Sequence, residues 1–320
     1  MHNYKWEKQD FSAIDNTVKE FNNTRDQVAI DNLNMRIDLD YISNSDEIEG
    51  INPQQLLQNI LKNTNLRVLR SYPYMIANNK NMKPGAVGNK VVNIAGMSDE
   101  EKEKVYENYL KNTELVVIDT EANQEFHVKT TGHLRAVSET IQQAKYARMI
   151  KNTTGENTEL TADFIADNIN CHILGEPFGR YRSQWYCPVA RITGSNLCLT
   201  GGAHVDEEME QLLNWYNNES KDLHPIERAA ILHIEFIRIH PFADGNGRTG
   251  RLLVNYELVK NAYPTITIKA SQRSEYIDAI NEAINNGDAT KMIDLVHRRM
   301  QSRLNLYNSI LAESDLSNSK

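Results

Sequence analysis

Along most of the second half of the chain, apolar residues return every three or four positions. Ile226, Ala230, Ile234 and Ile237 lie at spacings of four, four and three, so they share one face of an amphipathic helix. Leu252, Leu253, Tyr256 and Val259 repeat the pattern downstream, and Val205, Met209, Leu212, Leu213 and Tyr216 repeat it upstream. Tyr276, Ile280 and Ile284 mark another helix, and Ile293, Val296, Met300 and Leu304 mark one more. Thr161 through Ile173 reads as a capped helix with Phe164, Ile165, Ile169, His172 and Ile173 on one side. Toward the N-terminus, Val137, Ile141, Ala144 and Met149 predict a helix entering the core, and Leu56, Leu57, Ile60 and Leu61 a short one. Ser98 is placed to cap a helix over 99–111, whose early acids suit the positive end of the helix dipole.

Other stretches break this period. Residues 78–96 are rich in Asn, Lys and Gly, are interrupted by Pro84 and Gly88, and read as a loop or extended excursion. Leu115-Val116-Val117-Ile118-Asp119 reads as a buried strand or packed segment. Short β-prone runs, Trp185 to Ile192 and Leu197 to Leu199, flank the turn-forming Thr193-Gly194-Ser195-Asn196 and predict a hairpin. The tail from Glu313 to Lys320 is polar and is expected to fray. The fold class that follows is mainly α.

Between the two strongest helical patterns lies His240-Pro241-Phe242-Ala243-Asp244-Gly245-Asn246-Gly247-Arg248-Thr249-Gly250-Arg251. Gly245-Asn246-Gly247 is most simply a turn, so the second helix should begin near Gly247. A helix start presents unpaired backbone N–H groups and the positive dipole end, a natural cradle for phosphate. Arg248 and Arg251 lie three residues apart, so both can face one ligand, and arginine grips phosphate oxygens bidentately. Asp244 is a hard oxygen ligand suited to a Mg²⁺ that also touches phosphate. His240 is placed to take a proton from an attacking hydroxyl near neutral pH.

This segment resembles the signature of the Fic family, His-x-Phe-x-Asp/Glu-Gly-Asn-Gly-Arg-x-x-Arg, with every fixed position present. The resemblance implies a Fic-fold helical bundle with a small β-hairpin flap and a helical N-terminal region. It implies transfer of AMP from ATP, the co-substrate, to a Ser, Thr or Tyr hydroxyl of a protein substrate. On that basis His240 is the base, Asp244 holds Mg²⁺, and Asn246 with the backbone of Gly245 and Gly247 forms the hole for the α-phosphate. Arg248 and Arg251 hold the β- and γ-phosphates, and Phe242 anchors the loop. The order of a helix ending near His172 and then Gly179-Arg180-Tyr181-Arg182 is similar to the segment before the family's flap. His172 reads as a packed residue, and Arg182 as either structural or site-lining. Val189, Arg191 and Ile192 fall in the flap, which aligns a target peptide by strand addition.

Upstream, Ser45-Asp46-Glu47-Ile48-Glu49-Gly50 resembles the family's inhibitory motif, Ser/Thr-x-x-x-Glu-Gly/Asn. A glutamate beside Arg251 would occupy the guanidinium that the γ-phosphate needs and would repel the triphosphate. The expected organisation is an N-terminal region over 1–130, with an inhibitory helix at about 43–62 and an unassigned insertion at 65–130, then a Fic domain over 131–312 and a flexible tail over 313–320. Removal of AMP, use of another nucleotide, and nucleotide binding without turnover remain as alternatives.

Composition limits the partners. The chain has 320 residues, 40% hydrophobic and 24% charged, which suits a globular core. A net charge of -8 argues against broad binding to nucleic acid or anionic membranes. No apolar run approaches the ~20 residues a spanning helix needs. Met1 to Trp6 has no signal-peptide core, and Cys171, Cys187 and Cys198 form no paired framework. A cytoplasmic protein with reduced thiols is the expectation, and a homodimer is left open.

Overall fold

The helix announced by Ile226, Ala230, Ile234 and Ile237 runs from Pro225 to Ile239, and the next from Asn246 to Lys260. A computed structural model of the chain describes residues 2–23, 40–50, 90–93, 98, 115–118, 124–175, 179–192, 195 and 197–318. In chain order its elements are α1 (Ser12–Asn22), α2 (residues 40–48), strands β1 (Lys90–Asn93) and β2 (Leu115–Ile118), and α3 (Gln124–Thr154). Next come α4, which joins a π-helical Phe164–Asn170 to an α-helical Cys171–Leu174, and α5, Val205–Asn214 continued by the π-helical Trp215–Glu219. The chain closes with α6 (Pro225–Ile239), α7 (Asn246–Lys260), α8 (Arg273–Asn286) and α9 (Thr290–Asn318).

α6 and α7 are buried along almost their whole lengths and pack on each other. α3 covers the far side of α7, and α9 and α8 cover α6. Gly132 lets α3 approach α4 closely, because a Cβ there would lie 1.9 Å from the His172 carbonyl oxygen. α6 starts with a capping box in which His224 replaces the usual hydroxyl residue. His224 Nδ1 accepts from the Ile226 N–H at 3.2 Å, and the Glu227 carboxylate accepts from the His224 N–H at 3.2 Å. Pro225 at the first helical position lacks the N–H that would be orphaned there. The N-terminal segment straps this region: Trp6 Nε1 donates to Glu227 at 2.8 Å, and the Tyr4 hydroxyl donates to the buried Glu235.

Most predicted helices stand where their periodicity put them. Val205, Met209, Leu212, Tyr216, Ile293, Val296, Met300 and Leu304 are all buried. On α3, Val137 and Ala144 are buried, but Met149 is 51% exposed, so the core face ends before it. The tail expected to fray from Glu313 is helical to Asn318. Leu115–Ile118 is a strand, and its partner is Lys90–Asn93 from the segment read as an extended excursion; the two pair in parallel, Lys90 opposite Leu115. The helices expected over 99–111 and around Leu56 to Leu61 lie outside the described residues. No described helix is long and apolar enough to cross a membrane.

The hairpin expected over Trp185 to Leu199 does not form a ladder among the described residues. That stretch contributes only an isolated bridge between Ser183 and Tyr186, next to one between Tyr181 and Phe242. Three local features oppose pairing. Cys187 takes a left-handed φ of 49°, Pro188 has no N–H to donate, and the carbonyls of Cys187 and Pro188 face the Arg182 guanidinium, both at 3.4 Å.

Candidate active site

α6 ends abruptly at His240, whose backbone adopts φ 52°, ψ 58° while its N–H closes the last turn on the Phe236 carbonyl at 2.9 Å. A non-glycine residue in this region is uncommon and strained, so its surroundings must hold it there. Arg182 does so: it is fully buried and donates from Nε to the His240 carbonyl at 2.6 Å and from Nη2 to the Ile239 carbonyl at 3.0 Å. Both of these contacts are to backbone carbonyls at the end of α6.

The loop that follows is stitched at three points. Asn246 accepts from the Phe242 N–H at 2.9 Å and donates to the Phe242 carbonyl at 2.7 Å, so its side chain staples the loop. Phe242 is buried, with its ring edge-on to Tyr181 at 5.1 Å. Asn170 of α4 donates to the Asp244 carbonyl at 3.0 Å and contacts Thr249 Oγ1 at 3.2 Å. Gly245, at φ 78°, then turns the chain into α7, which starts at Asn246, one residue before the predicted position. That φ and the 2.8 Å to Asn170 Nδ2 that a Cβ would have both demand glycine.

The His240 imidazole is mostly enclosed. Nδ1 faces the Ile237 carbonyl at 3.3 Å, an acceptor only, so the proton belongs on Nδ1 and Nε2 keeps its lone pair. Burial pushes the imidazole down to about 4, and the Arg182 charge works in the same direction. The ring is therefore neutral at physiological pH, the form a base needs.

Arg248 and Arg251 are both 2% exposed and have very different surroundings. Arg251 is saturated by the N-terminal region. Its Nε donates to Ser45 Oγ at 3.0 Å, and its Nη2 to the Ser45 carbonyl and to Glu49 Oε1, both at 2.8 Å. Tyr276 lies beside it, with its hydroxyl 3.4 Å from Nη1 and 2.9 Å from His233 Nε2. Burial works to lower the Arg251 pKa, and the Glu49 carboxylate more than reverses this. Arg248 has only distant carboxylates, Asp46 Oδ1 at 3.8 Å and Asp244 Oδ2 at 3.6 Å. Its Nε and Nη1 are buried with no hydrogen-bond partner among the described residues. A buried guanidinium with open donors is costly unless an anion completes it.

Ser45 and Glu49 reach this place because α2 is docked along its length. Lys269 pairs with Asp40 at 2.7 Å, the Ala270 N–H donates to Asn44 Oδ1 at 3.0 Å, and Arg273 Nε donates to the Ile48 carbonyl at 2.8 Å. Ile42 and Ile48 are buried, and Asp46 is buried against His133 Nδ1 at 2.9 Å. Gly50 ends the segment at φ 79°. Glu49 lies against the first turn of α7: a Cβ on Gly247 would be 2.1 Å from Glu49 Oε1.

The structure thus gathers Ser45, Glu49, Gly247 and Arg251 into one contact, with Arg248 on the same helix face and His240 across the stapled loop. Asp244 is 72% exposed, with Oδ1 accepting from the Gly245 N–H at 2.6 Å and Oδ2 facing Arg248. Among the described residues no group of three or more His, Cys, Asp or Glu side chains could hold a metal. A Mg²⁺ at Asp244 would need phosphate oxygens to complete its shell, which is how this ion commonly binds. Val189 and Arg191 are exposed and Ile192 half-buried, joined to the site through the Arg182 contacts of the neighbouring Pro188. His172 packs 3.3 Å from Glu139. Sequence reading missed Asn170, Asp46, His133 and Tyr276, whose partners are remote in the chain and carry no local signal.

Residues 159–258 match the model of the Fic/DOC family. The chain is 40% identical over 109 residues to the protein adenylyltransferase Fic of Drosophila mojavensis, covering 34% of this chain and 21% of that protein. It is 35% identical over 105 residues to protein adenylyltransferase fic-1 of Caenorhabditis elegans, covering 32% and 20%. The chain thus spans about a fifth of the length of these curated relatives. Among solved structures it is similar to a Fic domain containing signaling protein from Bacteroides thetaiotaomicron, with a TM-score of 0.61, 20% identity, and coverage of 92% of this chain and 94% of that one. It is also similar to a C. elegans Fic-1 structure, with a TM-score of 0.58, 21% identity, and coverage of 94% and 72%. The motif, the helical fold and these likenesses agree over one region: residues 159–258 are similar to the Fic/DOC family.

Proposed function

We propose that this chain transfers AMP from ATP to a protein hydroxyl and that Glu49 restrains the reaction. The observation that carries the reading is the neutral, enclosed His240, held by a stapled loop that opens directly into the N-terminus of α7. The relatives similar to the same region are protein adenylyltransferases, which supports it.

In this reading the first turn of α7 receives the α-phosphate through backbone N–H groups near Gly247. Asn246 contributes by fixing the loop, since its side-chain groups are already bound to Phe242. His240 Nε2 takes the proton of a Ser, Thr or Tyr hydroxyl. That oxygen forms a bond to the α-phosphorus as the bond to the bridging oxygen breaks, and pyrophosphate leaves with the electron pair. The open donors of Arg248, and Arg251 once freed, hold the departing phosphates, so that most of the rate gain comes from positioning and charge stabilisation. Mg²⁺, bound by Asp244 and phosphate oxygens, would neutralise charge on the triphosphate.

The depressed His240 pKa makes a signed prediction. A base is active when deprotonated, so kcat/KM rises with pH through about 4 and is level above it. With Glu49 replaced by glycine and excess Mg²⁺, activity should be flat between about pH 6 and 8 as far as His240 governs it. An acid limb near the ordinary histidine value of 6.5 would contradict the assignment.

A further inference from the structure

Arg182 is a fully buried arginine that no carboxylate pairs with among the described residues. Its guanidinium instead faces five backbone carbonyls: His240 at 2.6 Å, Thr200 at 2.7 Å, Ile239 at 3.0 Å, and Cys187 and Pro188 at 3.4 Å. Those carbonyls come from three places: the end of α6, the 187–188 bend, and the run leading into α5. A guanidinium has five N–H donors in a rigid planar fork, so one side chain can address all of them. A lysine has three donors on one nitrogen and cannot span the same set.

Two consequences follow for His240. Its left-handed backbone is over-determined, because Arg182 binds the carbonyls of residues 239 and 240 and donates its own N–H to the Pro241 carbonyl at 2.7 Å. The positive charge also sits at the negative end of the α6 dipole, where a cation is favoured. We infer that Arg182 is the positioning residue of the reaction: it fixes the His240 backbone and ties the 187–188 bend and Thr200 to it, so that the base and these backbone points are held as one unit. This rests on the reading of His240 as the base. Arg182 touches no reacting atom in that scheme and acts only through His240. The charged groups around the imidazole are Arg182 from the 179–182 run, Glu49 from the N-terminal region and Asp244 from the loop.

The test compares Arg182→Lys and Arg182→Gln in protein carrying Glu49→Gly. Autoadenylylation rate, ATP affinity by titration, and the imidazole titration of His240 by NMR are read together. A small displacement of the base costs on the order of 100-fold in rate, so a fall of that size is expected in both variants. ATP affinity should stay within about threefold, because the cradle and both phosphate arginines sit on α7. The His240 titration should move up in Arg182→Gln and stay low in Arg182→Lys, a split that general loosening of the fold would not produce. Equal losses of rate and ATP affinity, or an unchanged rate, would overturn the inference. If Arg182→Gln does not fold, the rate-against-affinity split in Arg182→Lys decides alone. If the Glu49→Gly parent transfers no AMP, the proposed activity fails, and the NMR titration still decides whether Arg182 sets the state of His240.

Discussion

Replacing Glu49 by glycine should raise autoadenylylation by roughly 10- to 100-fold, the range expected when a charge-assisted hydrogen bond to a buried arginine is removed. The carboxylate holds Arg251 Nη2 at 2.8 Å and crowds the first turn of α7, so its loss frees both a phosphate ligand and the space beside Gly247. Ser45 and the α2 docking contacts remain, and the segment should stay in place while the nucleotide enters. Intact-mass spectrometry after incubation with Mg²⁺ and ATP reads the added AMP directly. A Glu49→Gln variant, which keeps the size and loses the charge, should fall between parent and glycine variant. Equal labelling of parent and Glu49→Gly protein would remove Glu49 from the inhibitory role.

Replacing His240 by alanine in that released background should lower transfer by ~10²–10⁴-fold, the usual worth of a general base. ATP binding should change little, since the proposed triphosphate cradle lies on α7 and its arginines are untouched. Alanine at φ 52° carries backbone strain, so His240→Asn is the better companion, because asparagine tolerates the left-handed region. Both variants should bind nucleotide in calorimetry and fail to gain mass. Transfer at the parental rate by either would strip His240 of its assignment.

How much of this was legible beforehand depended on whether the signal was local. The helices were, because apolar residues recur every three or four positions along α6 and α7, although burial itself extends over almost their whole lengths. The His240 to Arg251 loop was, because its turn residues and its chemistry are contiguous. Glu49 was found through a six-residue pattern, but its contact with Arg251 spans 202 positions and only the folded chain displays it. Asp46 with His133, and Asn170 with Thr249, are similar: each side chain is ordinary in its own neighbourhood and acquires a role only from a distant partner. The expected hairpin has no ladder among the described residues for a related reason. The residues of 185–199 have strand-forming character, but Arg182 claims two of the carbonyls a ladder would use, and Cys187 turns the backbone away. The pairing of Lys90–Asn93 with Leu115–Ile118 was half seen, since only the second segment has a strongly apolar composition.

Gly247 sets a constraint on how such a chain can change. The bare backbone that would admit a phosphate oxygen is the same surface on which the Glu49 carboxylate now rests. Any side chain there would evict both rival occupants at once. Under the proposed restraint, a substitution at this position would both displace Glu49 and crowd the phosphate, so gain of activity is expected from changes at Glu49 instead.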